Sequence, residues 1–186
     1  MRMLLAAVLV LMCSAGGPSI DSGRASDTEV FVFGSYFCSG SRAVEPFLRE
    51  ELASLHKAGV KVTFVDMPAN PQTMLFARYF QYAARAVHHN FSALLRIRKT
   101  LFEIAQWRYI SELKLQSELK RRRIAMTVFE PQRVYDHWQE LIARYDVQDT
   151  PTVVRLTGSA VGIFSGEDEI RAGIERIKAE ALLRRG

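Results

Sequence analysis

The sequence predicts an α/β fold, on three observations. Residues 29–67 read as strand, helix, strand. Residues 72–145 carry helical periodicity and almost no strand signal. From residue 151 to about 184 the pattern returns as strand, strand, helix. Apolar residues spaced i, i+3, i+4 mark the helices, and alternating or β-branched runs mark the strands.

The first strand is Glu29 to Gly34, built on Val30-Phe31-Val32-Phe33. A helix is expected from about Arg42 to Lys57, with Val44, Phe47, Leu48, Leu52 and Leu55 on one face and Ala58-Gly59 ending it. Val60 to Met67 is β-branched and largely alternating, which makes a second strand. A βαβ unit favours a parallel pair with a right-handed crossover. Pro68 and Pro71 bracket a loop. Met74, Phe76, Ala77, Phe80, Ala83 and Ala84 then form one helical stripe. Phe91, Leu94, Leu95, Ile97, Leu101 and Ile104 form the next. Ile110–Ile124 and Pro131–Tyr145 read as two more helices, separated by a break at Thr127 to Pro131. Thr152–Leu156 and Ala160–Phe164 flank Thr157-Gly158-Ser159, a hairpin signal. Ser165-Gly166-Glu167 leads into a last helix, Asp168 to about Arg184, with Ile170, Ile174, Ile177 and Ala181 facing inward.

The length of 186 residues suits one domain with an inserted subdomain, and an apolar content of 48% supplies a sizeable core. A net charge of +5 does not by itself point to nucleic acid. The basic runs Arg96-Ile97-Arg98-Lys99 and Lys120-Arg121-Arg122-Arg123 are expected to be solvated helix faces. The second lacks the interleaved aromatics that a single-strand reader needs. No nucleic-acid partner is expected.

Arg2, the apolar run Met3 to Met12, and the small residues Ser14 to Gly17 form a short secretory signal, residues 1–15, with Ala25 as a second cleavage point. It is too short for a stable membrane span. Residues 16–28 read as a flexible tether, and 29–184 as the folded domain. Cys13 resembles a lipoprotein acceptor, but Met12 stands before it where a small residue is required. A soluble periplasmic or secreted product is therefore the favoured reading. Cleavage removes Cys13 and leaves Cys38 alone of the two cysteines.

Cys38 lies in Phe37-Cys38-Ser39-Gly40-Ser41, between the first strand and the first helix. Orphan N–H groups and the positive helix end stabilise a thiolate there, with a pKa in the range of about 3.5–7.5. A redox pair requires a second Cys at position 41, which is Ser41.

The layout resembles the thioredoxin fold carrying a helical insertion, here 72–145, as in the DsbA-like thiol–disulfide oxidoreductases. Cys38-x-x-Ser41 is followed by Pro46 at the offset where thioredoxins carry a helix-kinking proline. Val147-Gln148-Asp149-Thr150-Pro151-Thr152 resembles the family motif V-x-G-T-P-T. The resemblance implies that Pro151 is cis and faces the active cysteine, and that the backbone beside Thr150 pairs with substrate like an added strand. Ser41 in place of the resolving Cys departs from the family pattern. So does Asp149 in place of Gly, which bears on the shape of the peptide-binding edge.

Each candidate has two readings. Cys38 is a nucleophile or a half-buried remnant. Ser41 donates its hydroxyl to the Cys38 thiolate or is an ordinary polar residue of a helix start. His56, His88, His89 and His137 fall in helical patterns without a convincing ligand set, and are taken as surface or packing residues. No metal or cofactor is expected. Trp107 and Trp138 are expected in the core, the alternative being an exposed apolar groove near Cys38.

The function implied is that of an exported monothiol protein acting in thiol–disulfide exchange on Cys-containing polypeptides. Cys38 and Ser41 would form the catalytic site and Thr150-Pro151 the substrate edge. An outside thiol reductant or glutathione would complete the cycle. The alternative is a redox-inactive binding or assembly factor of the cell envelope. A glutathione transferase-like use rests on fold alone.

Overall fold

A computed structural model of the chain describes residues 28–183. The expected signal segment with Cys13, and the tether as far as residue 27, lie outside the described residues. Thr28, expected in the tether, instead opens β1 (Thr28–Gly34), where it pairs with Thr157 and is buried. There follow α1 (Ser39–Lys57), β2 (Lys61–Asp66), α2 (Pro71–Ala86), α3 (Phe91–Ala105), α4 (Glu112–Arg121) and α5 (Gln132–Arg144). The chain returns through β3 (Thr152–Thr157), β4 (Ala160–Ser165) and α6 (Glu167–Leu183).

The sheet order is β2-β1-β3-β4. β1 runs parallel to β2 and antiparallel to β3, and β4 completes a hairpin with β3. Because β1 alternates, Val30 and Val32 face a core shared with Val44, Leu48 and Leu52 of α1 and Ile170 of α6. Phe31 and Phe33 face a second core with Tyr135, Trp138 and Leu141 of α5. Trp138 is thus a core residue.

The register sets up the site. Gly34 stands opposite Asp66, and Phe33 opposite Thr152. The loop leaving β1, the end of β2 and the segment entering β3 therefore meet at one edge of the sheet.

Several elements differ from the sequence reading. The first helix begins at Ser39 rather than about Arg42, because Cys38 itself is the N-cap, with extended backbone at φ −77° and ψ 128°. His88 and His89 are not helical. They form the turn between α2 and α3 at φ 48° and 55°, held by bonds from their N–H groups to the Arg85 and Ala84 carbonyls. Trp107 lies past the end of α3 and is 47% exposed, with the Lys114 ammonium 5.6 Å from its ring. Arg98, expected on a solvated face, is 2% exposed. Among the described residues, no helix is long and apolar enough to cross a membrane.

Candidate active site

Cys38 stands where a helix normally carries Ser, Thr, Asn or Asp, whose oxygens accept from the second and third helical N–H groups. Here Cys38 takes that place, and its side chain makes no capping hydrogen bond, which leaves the sulfur free for other partners. It is partly exposed, and no acidic residue sits in the first turn of α1 to repel a thiolate. Its thiol lies 3.1 Å from the Thr150 carbonyl oxygen, to which it can donate. The sheet register brings these residues together across a separation of 112 in sequence.

Partial burial pushes the Cys38 thiol up. The Thr150 side chain, the Ser41 N–H and hydroxyl, and the Gly40 N–H favour the thiolate and outweigh that effect. Its pKa is held below the ordinary thiol value. The Thr150 carbonyl accepts from the neutral thiol, whereas the Thr150 side chain favours the thiolate. Ser41 is buried, and its oxygen also accepts the Ser35 N–H at 3.3 Å. Ser41 thus ties the loop leaving β1 to the first turn of α1.

The Thr150–Pro151 bond is cis. Thr152 fastens this segment, its hydroxyl donating to the Asp149 carbonyl at 2.8 Å and lying 3.0 Å from the Ser165 hydroxyl. The Gly166 N–H bonds the Pro151 carbonyl at 3.1 Å, and Gly166 adopts φ 80°, which suits glycine. The Asp149 side chain itself is exposed.

No family model matches the chain, and no curated protein matches it in sequence. Solved structures do match in shape. A periplasmic thioredoxin-like protein of Salmonella enterica serovar Typhimurium aligns over 84% of this chain and 87% of its own, with 15% identity and a TM-score of 0.60. ScsC of Proteus mirabilis aligns over 87% of this chain and 70% of its own, with 15% identity and a TM-score of 0.64. The alpha-DsbA1 protein of Wolbachia pipientis aligns over 87% and 90%, with 12% identity and a TM-score of 0.64. The fold is that of the DsbA-like thioredoxin proteins. At these identities the likeness is one of fold.

Two features of this thioredoxin fold escape a linear reading of the chain. The first is Gly40. A Cβ there would lie 2.9 Å from Pro151 Cδ, so only glycine lets the Pro151 segment approach the first turn of α1 this closely.

The second is a buried polar network beneath the Cys38 loop. Arg98 Nη2 donates to Glu45 Oε2 at 3.2 Å, and Nη1 to Asp66 Oδ1 at 3.4 Å. The Tyr36 hydroxyl donates to the other Asp66 oxygen at 3.2 Å. The guanidinium also lies 4.2 Å from the Phe64 ring centroid. A Cβ on Gly34 would sit 3.7 Å from both Arg98 Nη2 and Ser41 Oγ, which places the network directly behind the thiol loop. The signal for it lies in charges at core positions. Glu45 adjoins Val44 on the buried stripe of α1, and Arg98 stands between Leu94 and Leu101 at i+4 and i+7 on α3.

Burial raises the Asp66 carboxyl to about 6 against the pull of Arg98, and raises Glu45 in the same way. Burial alone would lower the Arg98 guanidinium, but Glu45, Tyr36 and Asp66 more than reverse this and keep it charged. Folded Asp66 thus keeps its proton where the unfolded chain, near its ordinary 3.8, has lost it. Its contribution favours folding below that value and is lost as pH rises toward about 6. Relative to Asp66→Asn, the wild type should lose stability across this window and run parallel above it. Urea unfolding as a function of pH measures this, and a wild-type gain in that window contradicts it.

Among the described residues, no group of three or more His, Cys, Asp or Glu side chains is placed to hold a metal ion.

Proposed function

We propose that the protein is an exported, single-thiol member of the DsbA-like fold acting in thiol–disulfide exchange on Cys-containing polypeptides. The observation that carries this reading is the Cys38 sulfur at the N-terminus of α1, partly exposed and set against Thr150. The Cys38 thiolate attacks one sulfur of a substrate disulfide. A mixed disulfide forms, and the other substrate sulfur leaves as a thiolate. Ser41 holds the thiolate form of Cys38 by its N–H and hydroxyl. The backbone at Thr150-Pro151 aligns the substrate in the manner of an added strand. Since Ser41 cannot resolve the intermediate, release falls to a second thiol: the substrate's own, glutathione or a partner reductant. An extracytoplasmic location accords with the signal-like N-terminus, and the Salmonella neighbour is described as periplasmic.

The test is the rate of iodoacetamide alkylation of Cys38 against pH. The inflection should fall below the ordinary thiol value of about 8.5. In Ser41→Ala it should move up, because two of the groups that hold the thiolate are the Ser41 hydroxyl and the N–H it helps to position. A Cys38 that resists alkylation, or titrates at or above the ordinary value, would assign the protein instead to the redox-inactive binding or assembly role.

A further inference from the structure

The helical insertion carries an apolar groove of about 820 Å³ that the thiol chemistry does not use. One wall is α2, through Tyr79 and Tyr82. The facing wall is α4, through Leu113, and the third is the segment after α4, through Met126 and Val128. Leu113 is 79% exposed and Val128 76%, so large apolar side chains stand in solvent at both lips. The groove is separate from the Cys38 loop. Its lining includes none of Phe37, Cys38, Ser41, Thr150 and Pro151.

Two further observations say what fits. The first is charge. Lys114 and Arg121 pair with Glu118, and Arg122 with Glu103. Lys120 and Arg123 also line the groove, and among the described residues neither has an acidic partner. Arg123 is set at φ 57° by the turn that ends α4, where its N–H bonds the Lys120 carbonyl and the Ile124 N–H bonds the Leu119 carbonyl. The second is backbone. From Ile124 to Thr127 half-buried residues alternate with exposed ones, the two-residue period of an extended chain. The Thr127 N–H bonds the Tyr82 carbonyl at 2.9 Å. The main-chain groups of Met126 and Val128, on either side of it, find no protein partner among the described residues.

We propose that this groove is a second recognition site, which takes an extended peptide segment with alternating apolar and acidic side chains. Apolar side chains cover Tyr82, Leu113 and Val128. Carboxylates meet Lys120 and Arg123 through charge-assisted bonds. The peptide backbone pairs with Met126 and Val128 as an added strand. An acyl chain could cover the apolar walls but would leave those main-chain groups unpaired, which favours peptide over lipid.

The test is fluorescence anisotropy of labelled, capped peptides titrated with the full chain. A peptide of alternating leucine and glutamate should bind, and one of alternating leucine and lysine should not. Lys120→Glu with Arg123→Glu should weaken the acidic peptide about tenfold or more, as two rim charges are reversed. N-methylation of alternate peptide nitrogens should weaken it also. Cys38→Ala should leave binding unchanged, which keeps this result distinct from the thiol reading. Both substituted cations are exposed, and circular dichroism checks the fold. If the double variant does not fold, the charge-reversed peptide on the wild type decides. The proposal is overturned if the acidic peptide does not bind, if both peptides bind equally, or if N-methylation has no effect. It is overturned too if phosphatidylglycerol–phosphatidylcholine vesicles bind and the peptide does not.

Discussion

Arg98→Met should destabilise the protein by about 3–5 kcal/mol, a large part of the total of about 5–15 kcal/mol expected for a domain. The substitution keeps volume in the core but leaves Glu45 and Asp66 buried without their cation. Uncompensated buried carboxylates cost far more than the lost packing. The effect should be smaller near about pH 5 than near about pH 8, because Asp66, already raised by burial, is neutral on the acid side. Replacing the whole network with apolar residues (Arg98→Met, Glu45→Leu, Asp66→Leu, Tyr36→Phe) should recover much of the loss, since no charge is then left unpaired. Urea unfolding of the single and combined variants measures both. A single variant as stable as the wild type would show that the network is solvated in solution. The same substitution should also loosen the Cys38 loop, because Arg98 lies behind Gly34 and Ser41.

The second large effect concerns adduct lifetime. Non-reducing gels of protein taken from expressing cells should show higher-mass species that vanish with reductant and are absent in Cys38→Ala. Ser41→Cys should shorten their lifetime by at least about a hundredfold, because intramolecular attack replaces an encounter with an outside thiol. Position 41 lies in the first turn of α1, one turn on from Cys38 at the N-cap, the spacing of a redox pair. The new pair should also oxidise or reduce model dithiols, provided bridge geometry is met. Adducts that persist in Cys38→Ala would remove Cys38 from the chemistry.

Much of the architecture was legible in the chain. The βαβ start, the helical stretch and the ββα close all follow from period and turn residues, which act over a few neighbours. Cys38 at a helix start was legible for the same reason. Its role as the N-cap itself was not, because Ser39 and Gly40 carry no apolar periodicity to mark the first turn. Trp107 was misplaced because a helical pattern does not reveal where its last turn frays; the helix ends at Ala105 and leaves the indole half in solvent.

The α/β class, the order of elements and a thiol at a helix start are written in the chain. These are local properties of spacing and residue type. What the thiol touches and what lies beneath it depend on long-range packing. Thr150 reaches Cys38 through the register of β1 on β3, and Gly40 admits Pro151 through helix-to-loop packing. Arg98 looked like one charge in a basic run. It became a core residue because α3 turns that face toward α1 and β2, where two carboxylates and an aromatic ring await it. A charged side chain enters a core only when partners from distant segments converge on it, and that convergence is a property of the fold as a whole.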